Sequence, residues 1–592
     1  MIEKRLSELV RSALTNVLAE KSNLLEQSER LLRIDAAKSV EHGDFTTNIA
    51  LLITKSVGLP PMTIASKLCE NMAGDPLLAD ISVAKPGFIN FKVSDSAIFA
   101  EVQVALKLGA AFGRWPKRQA DTVLIEFVSA NPTGPLHLGH ARGAFVGDAL
   151  ARLLDMAGYV VEREFYVNDT GKQVRTLGES IYLRYRQLFG EEVALAKDAY
   201  PGEYVIGIAR QVREQDGDKW LHTDRDAAVS YLTEFGIKAN LKDVADTLKA
   251  AGIRMDRWFS EASLQEQKVP GLLEIYRRAG VLYEADVAQG LEEKTRREDS
   301  NAAKFLERQL GGTFLKTSLF GDDEDRIVIR KSGELVYLIS DLAYHKDKFD
   351  RGYKRMIALF GADHAGHVNR LRAGMRALGL DDKRLEFVVV QIMRLIRGGK
   401  EVRFSKRAGE IYRLSDLLED IGADAARFIF LMRSPNAQFD FDLDLCLKQS
   451  QDNPVFYVQY AHARMAALLR RAAESNIEIS ALDSLPLATM ARLKLKEERE
   501  LLKGAIRLPE IIRVAAESCE PHRVLYYCNE LIGDFHSYYS RYKHTERVIS
   551  DDRELSQARL AMVAVLKTAL ANALQTLGVS APEHMEVAKK DD

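Results

Sequence analysis

The chain has 592 residues, 46% hydrophobic and 28% charged, with 83 Lys and Arg against 85 Asp and Glu. Those proportions exclude a disordered or collagen-like chain and suit several domains of about 100–200 residues each. The near-neutral balance excludes a protein that coats nucleic acid by bulk charge, though a local basic groove stays open. The four cysteines, Cys69, Cys446, Cys519 and Cys528, form no Cys-x-x-Cys pair. A zinc ribbon and a redox motif are therefore not expected, and a reducing compartment is. No apolar signal core opens the sequence, and no run of about 18 uncharged apolar residues follows, so a soluble, cytoplasmic protein without a membrane span is expected.

In chain order, helical spacing links Ile2, Leu6, Val10 and Leu14, and residues 87–93 alternate with period two. Helix and strand together predict an α+β region, bounded by a Gly- and Pro-containing loop at 109–118. Residues 122–128 are a near-continuous apolar run, the pattern of a parallel strand covered on both faces. A helix follows, with Phe145, Ala149, Leu153 and Met156 on one side and Gly158 past its end. Residues 160–166, 356–360 and 387–392 read as further strands. Residues about 191–329 are charged and mostly helical and read as an insertion. Residues 451–592 are helical throughout. The fold class is therefore multidomain α/β plus all-α. It combines a doubly wound parallel sheet carrying an insertion, an N-terminal α+β domain and a C-terminal helical bundle. The domain plan is 1–110, 111–450 and 451–592.

The loop Ser129-Ala130-Asn131-Pro132-Thr133-Gly134-Pro135-Leu136-His137-Leu138-Gly139-His140 joins the buried strand to its helix. It lies where parallel sheets bind ligands. Free backbone N–H groups at a helix start favour anions. Two imidazoles can add donors to a phosphate chain, and the glycine between them lets a flat base approach. A second loop, Gly398-Gly399-Lys400-Glu401-Val402-Arg403-Phe404-Ser405-Lys406-Arg407-Ala408-Gly409, could bring Lys406 to a developing pyrophosphate. By itself it also reads as a basic surface loop. Glu126, inside its apolar run, and Asp341, after Tyr337-Leu338-Ile339-Ser340, read as acids at strand ends. A carboxylate so placed is costly unless it meets a cation. An internal basic residue or a cationic ligand would serve, and composition does not choose between them.

His137-Leu138-Gly139-His140 resembles the His-Ile-Gly-His signature of class I aminoacyl-tRNA synthetases, and Phe404-Ser405-Lys406-Arg407-Ala408 resembles their Lys-Met-Ser-Lys-Ser signature. Longer strings narrow the resemblance to the arginyl-tRNA synthetase family of bacterial type. They are residues 126–142, Tyr166-Val167-Asn168-Asp169-Thr170-Gly171, Gly361-Ala362-Asp363-His364-Ala365-Gly366-His367 and residues 453–464. The resemblance covers nearly the whole chain and is weakest in the insertion. It implies a Rossmann-like catalytic domain, an N-terminal additional domain that contacts tRNA and a helical anticodon-binding domain.

The resemblance also implies site roles. His137, Gly139, His140, Asp363, His364, His367, Ser405 and Lys406 would bind ATP, with His137, His140 and Lys406 catalytic. Glu126, Ser129, Asn131, His137, Tyr337 and Asp341 would bind arginine, with Glu126 and Asp341 gripping its guanidinium. Mg²⁺ would come with ATP, zinc would play no part, and the partners would be L-arginine, ATP and tRNA(Arg), met by a monomer. Arginine would be activated to arginyl-adenylate and passed to the terminal adenosine of the tRNA, without a separate editing domain. Arg403-Phe404 stands where the signature has Lys-Met, and Thr170 and Lys172 stand where Ala and Asn are expected. Some members carry a lysine before the histidine loop in place of the second-signature lysine; here Gly134 occupies that place and Lys406 is present. Tyr526, Tyr527, Tyr538, Tyr539 and Tyr542, interleaved with Arg541 and Lys543, suit either stacked anticodon bases or a tyrosine-rich helix interface. Two rival readings are a nucleotidyltransferase that adenylates a small acid without RNA and a non-catalytic RNA-binding paralogue.

Overall fold

A computed structural model describes residues 1–18, 22–37, 39–285, 311–362, 366–402, 412–447, 453–479 and 481–585. Asp363, His364, Ser405 and Lys406 lie outside the described residues. The chain divides into two units. One comprises 116–455 with 516–522; the other comprises 1–115, 456–515 and 523–592.

The first unit is built on a five-stranded parallel sheet. Its strands are β1 (Thr122–Glu126), β2 (Val160–Val167), β3 (Arg257–Ser260), β4 (Arg355–Gly361) and β5 (Leu385–Val390), in the order β5-β4-β1-β2-β3. The chain leaves β1 towards β2 and β3, then returns to the other side for β4 and β5. The order therefore reverses between β1 and β4, and the carboxyl ends there form the crevice in which such sheets hold ligands. Val123, Leu124 and Ile125 are fully buried, as the unbroken apolar run requires. Helix α1 (Leu138–Met156) links β1 to β2. It lies so close to β1 that a Cβ at Gly147 would come within 2.3 Å of the Phe127 ring. Helices α2 (Lys172–Leu188), α3 (Glu203–Asp216) and α4 (Arg225–Ala250) share one buried cluster.

Two expectations need correction. The region read as an insertion is not wholly outside the sheet, because β3 pairs with β2 at its edge. Of its four residues, Arg257–Ser260, two are exposed and two half-buried; they begin with a charge, end with a serine, and are too few to give a buried strand's apolar signature. Asp341 does not end a strand. It sits on helix α6 (Tyr337–Asp350), preceded in the chain by the short helix α5 (Glu261–Gln267). Leu338, Ile339, Leu342 and Ala343 are all buried on α6, a helical period that the four residues before Asp341 are too few to reveal.

In the second unit, helix Ile2–Val17 buries the four residues at helical spacing, and strand Phe88–Val93 joins an antiparallel sheet. The N-terminal region and the C-terminal helices pack together. Asn572, on helix Arg553–Thr576, donates to the carbonyls of Gly109 and Phe112, each at 2.8 Å. Arg499 pairs with Asp95 at 2.6 Å and Lys503 with Asp44 at 2.7 Å. The first and last expected segments thus share one unit. Among the described residues no single helix is long and apolar enough to cross a membrane.

Candidate active site

The loop after β1 begins under strain. Val128 and Ser129 have φ of 70° and 42°, a region that a β-branched residue enters only when its surroundings hold it there. Ser129 shows what holds it. Its hydroxyl donates to Glu126 Oε1 at 3.0 Å and accepts the Tyr166 N–H of β2 at 3.2 Å.

Further on, His137 is the N-cap of α1. Its Nδ1 accepts the Gly139 N–H at 3.1 Å, and His140 Nδ1 accepts the His137 N–H at 3.3 Å. Both Nδ1 atoms accept, so a neutral ring carries its proton on Nε2 and can donate from there. The rings stack with centroids 3.9 Å apart. A Cβ at Gly139 would lie 2.9 Å from the His137 ring, so this position requires glycine.

Other elements fix the loop from outside. Asn240 on α4 donates to the Pro132 carbonyl at 3.0 Å, the Tyr204 hydroxyl on α3 donates to the Thr133 carbonyl at 2.7 Å, and Asn131 donates to Gln173 at 2.8 Å. Helix α8 (Leu414–Leu431) begins beside it, with Leu414 N–H donating to the Leu136 carbonyl at 2.9 Å. Arg142, one turn into α1, is buried and donates to the carbonyls of Gln391, Ser434 and Ala437 at 2.7–2.9 Å. Burial without a carboxylate partner lowers its pKa to about 10. Sequence reasoning missed Asn240, Tyr204 and Arg142. Their partners are distant in the chain, and only the arginine's closeness to the second histidine gave a signal.

Beneath the loop lie four acids. Glu126 Oε2 takes the Lys348 ammonium at 2.6 Å, and both side chains are buried. This pair, with Ser129, holds the Glu126 carboxyl below the usual range despite its burial. Each Glu126 oxygen thus already accepts one bond inside the protein, which leaves one further lone pair on each for a guanidinium. The cation that composition demanded is internal.

Asp341 differs. It is half-buried, and among the described residues no cation lies at ion-pair distance. Burial, then the charges of Glu261 and Glu126, push its pKa up to about 7, against a smaller opposing effect of Lys348. Glu261, buried at the start of α5, is also raised, by burial and then by Asp169, while hydrogen bonds from Gln265, Tyr166 and Thr170 oppose the rise. Asp169 receives the Ala262 N–H at 2.9 Å and so anchors α5. Thr170 accepts from Gln265 at 3.2 Å, which gives this departure from the family pattern a local role. His345 Nδ1–H donates to the Asp341 carbonyl at 2.8 Å, and burial lowers its pKa to about 4, so it is neutral. Tyr337 is 69% exposed, with its hydroxyl 3.8 Å from the place of a Cβ on Gly171. His367 opens helix α7 (His367–Ala377) after β4. Glu261 was missed because a glutamate opening a short helix looks like an ordinary first-turn acid.

In the second unit the tyrosines separate. Tyr527 and Tyr538 are buried and donate to the Ala505 carbonyl at 3.1 Å and Glu498 at 3.2 Å, so they belong to the helix interface. Tyr539 lines a cavity of about 450 Å³ with Tyr460, Arg464, Arg471 and His584. The Arg464 guanidinium lies 4.7 Å from the Tyr539 ring centre.

A parallel sheet with a strained loop at its switch point, a helix capped by two histidines with a glycine between, and a helical C-terminal region define a class I aminoacyl-tRNA synthetase. Family models agree segment by segment. Residues 4–93 match the arginyl tRNA synthetase N terminal domain, 101–192 the catalytic domain of class I (R) tRNA synthetases, and 458–585 the DALR anticodon binding domain. The chain is 40% identical over 554 residues to an arginine–tRNA ligase of Desulfitobacterium hafniense, covering 93% of each, and 38% identical over 607 residues to one of Anaeromyxobacter, covering 100% of this chain and 99% of that one. The Thermus thermophilus arginyl-tRNA synthetase shares the fold, with a TM-score of 0.74 at 21% identity over 99% of this chain and 100% of that one. This chain belongs to the arginyl-tRNA synthetase family.

Proposed function

We propose that this chain is an arginine–tRNA ligase that works as a cytoplasmic monomer. The carboxylate of L-arginine attacks the α-phosphorus of ATP, giving arginyl-adenylate and releasing pyrophosphate. A ribose hydroxyl of the terminal tRNA(Arg) adenosine then attacks the adenylate carbonyl, and AMP leaves. No protein nucleophile is needed. Catalysis consists of positioning and charge stabilisation. The α1 N-terminus and the Nε2–H groups of His137 and His140 offer donors to the phosphate chain, with Gly139 leaving room for the nucleotide. By the family resemblance Asp363, His364 and His367 would border the nucleotide, and Ser405 and Lys406 would meet the triphosphate. Mg²⁺, when bound, would neutralise phosphate charge. Such an ion is held mainly by phosphate oxygens and water.

Asp341 and Glu261 take the guanidinium. Glu126, held by Lys348 and Ser129, forms a fixed wall whose charge Lys348 offsets, with Asn131 towards the substrate's main-chain end and Tyr337 at the rim. The observation that carries this reading is Asp341: a half-buried carboxylate with no cation at ion-pair distance among the described residues, near Glu261, whose pKa burial likewise raises, which a planar five-donor cation would satisfy. The Tyr460–Arg464–Tyr539 cavity suits stacked anticodon bases. Charging of total tRNA with each of the twenty amino acids tests the proposal. Arginine alone should be esterified. Intact tRNA binding without charging would instead support the RNA-binding paralogue, and arginine-dependent pyrophosphate exchange without any charging would support the nucleotidyltransferase.

A further inference from the structure

Lys348 is 1% exposed, on the same face of α6 as Asp341, Tyr344 and His345, two turns beyond Asp341. Its ammonium pairs with Glu126 at 2.6 Å and lies 3.9 Å from the centre of the Tyr344 ring. Such a buried ion pair is a weak device for stability, since desolvation offsets much of its attraction. Its place in the acid cleft gives it another use. The charged groups facing Asp341 are Glu261 from α5, Glu126 from β1 and Lys348 on its own helix. Tyr166 from β2 and His345 from α6 face it as neutral groups. With its acids ionised, Asp341, Glu261 and Glu126 set three carboxylates against the single Lys348 ammonium, and Asp169 beside Glu261 adds a fourth. L-arginine brings a guanidinium at its side-chain end, while its α-ammonium is offset by its own α-carboxylate.

We propose that Lys348 is a positioning residue for arginine recognition: by neutralising Glu126 it commits the guanidinium to Asp341 and Glu261. This rests on the acid cleft being the arginine pocket. Without the ammonium, Asp341 faces two uncompensated acids, holds its proton to higher pH and loses its grip on a cation at neutrality.

The test is arginine-dependent ATP–pyrophosphate exchange by the full chain with tRNA, from pH 5.5 to 9. It compares wild type, Lys348→Met, Lys348→Arg, Glu126→Gln and the Glu126→Gln/Lys348→Met double variant. Lys348→Met should raise KM for arginine about tenfold or more at pH 7 and shift the acid limb of kcat/KM upward by about one pH unit, with KM for ATP within about twofold. Lys348→Arg should keep the wild-type limb. Glu126→Gln, with the ammonium left over, should move the limb downward, and adding Lys348→Met should move it back up. That last comparison stands even if Lys348→Met does not fold, because neither of its variants leaves an unpaired buried acid at position 126. An acid limb that stays put on removal of the Lys348 charge, in either background, would overturn the proposal. A wild-type enzyme inactive on arginine would instead overturn the reading of the pocket itself.

Discussion

Asp341 is the residue on which stability and activity meet. Its carboxyl is raised from the unfolded range to about 7, so between those values the native state binds the proton more tightly than the unfolded chain does. Folding stability from this group is full at low pH and declines as pH rises through that window. Asp341→Asn should therefore raise Tm at pH 8 and leave it nearly unchanged at pH 4, while lowering kcat/KM for arginine by about 10²-fold or more. A fall in Tm at pH 8, or normal arginine kinetics, would contradict this. Wild-type KM for arginine should also climb as pH falls below about 7, as Asp341 takes up its proton. A pH-independent KM from 5.5 to 8 would remove Asp341 from the substrate contact. At this scale the sequence showed that Glu126 and Asp341 were costly, but not which was already paid for. Lys348 is 222 residues from Glu126, and no local pattern links them.

At the scale of elements, the histidine loop is held by helices that looked unrelated to it. Asn240 lies 108 residues from Pro132, and Tyr204 lies 71 residues from Thr133. Removing either donor leaves a loop carbonyl unsatisfied, at a cost of about 1–3 kcal/mol. Asn240→Ala and Tyr204→Phe should each slow the activation step by about fivefold or more, with KM for arginine changing less. Wild-type kcat in both variants would show that the inserted helices do not position the loop. The alternating strand and helix pattern was readable because β1, β4 and β5 are largely apolar runs and β2, though it carries Glu162, Arg163 and Glu164, begins just after Gly158. Strand β3 was not, being only four residues long and partly exposed. The start of α6 was also misread, since four apolar or small residues before an acid fit either period.

At the scale of the molecule, the N-terminal and C-terminal segments form one unit. Asn572 fastens them by filling two carbonyl acceptors near residue 110. Asn572→Ala should lower Tm by several degrees, as loss of two buried bonds implies, with the effect seen in both segments by hydrogen exchange. Protection lost in only one of them would contradict a shared unit. Sequence patterning identified the elements of each segment, but their union depends on polar contacts spanning more than 400 residues.

The central claim is that two strained acids, Asp341 and Glu261, recognise a cationic fork. Arginine and its neutral isostere citrulline, compared in pyrophosphate exchange by wild type, Glu261→Gln and Asp341→Asn, test it most directly. Wild type should favour arginine strongly. Each variant should lose arginine activity and narrow its preference over citrulline by about 10²-fold. Undiminished discrimination in both variants would show that the positive charge is read elsewhere.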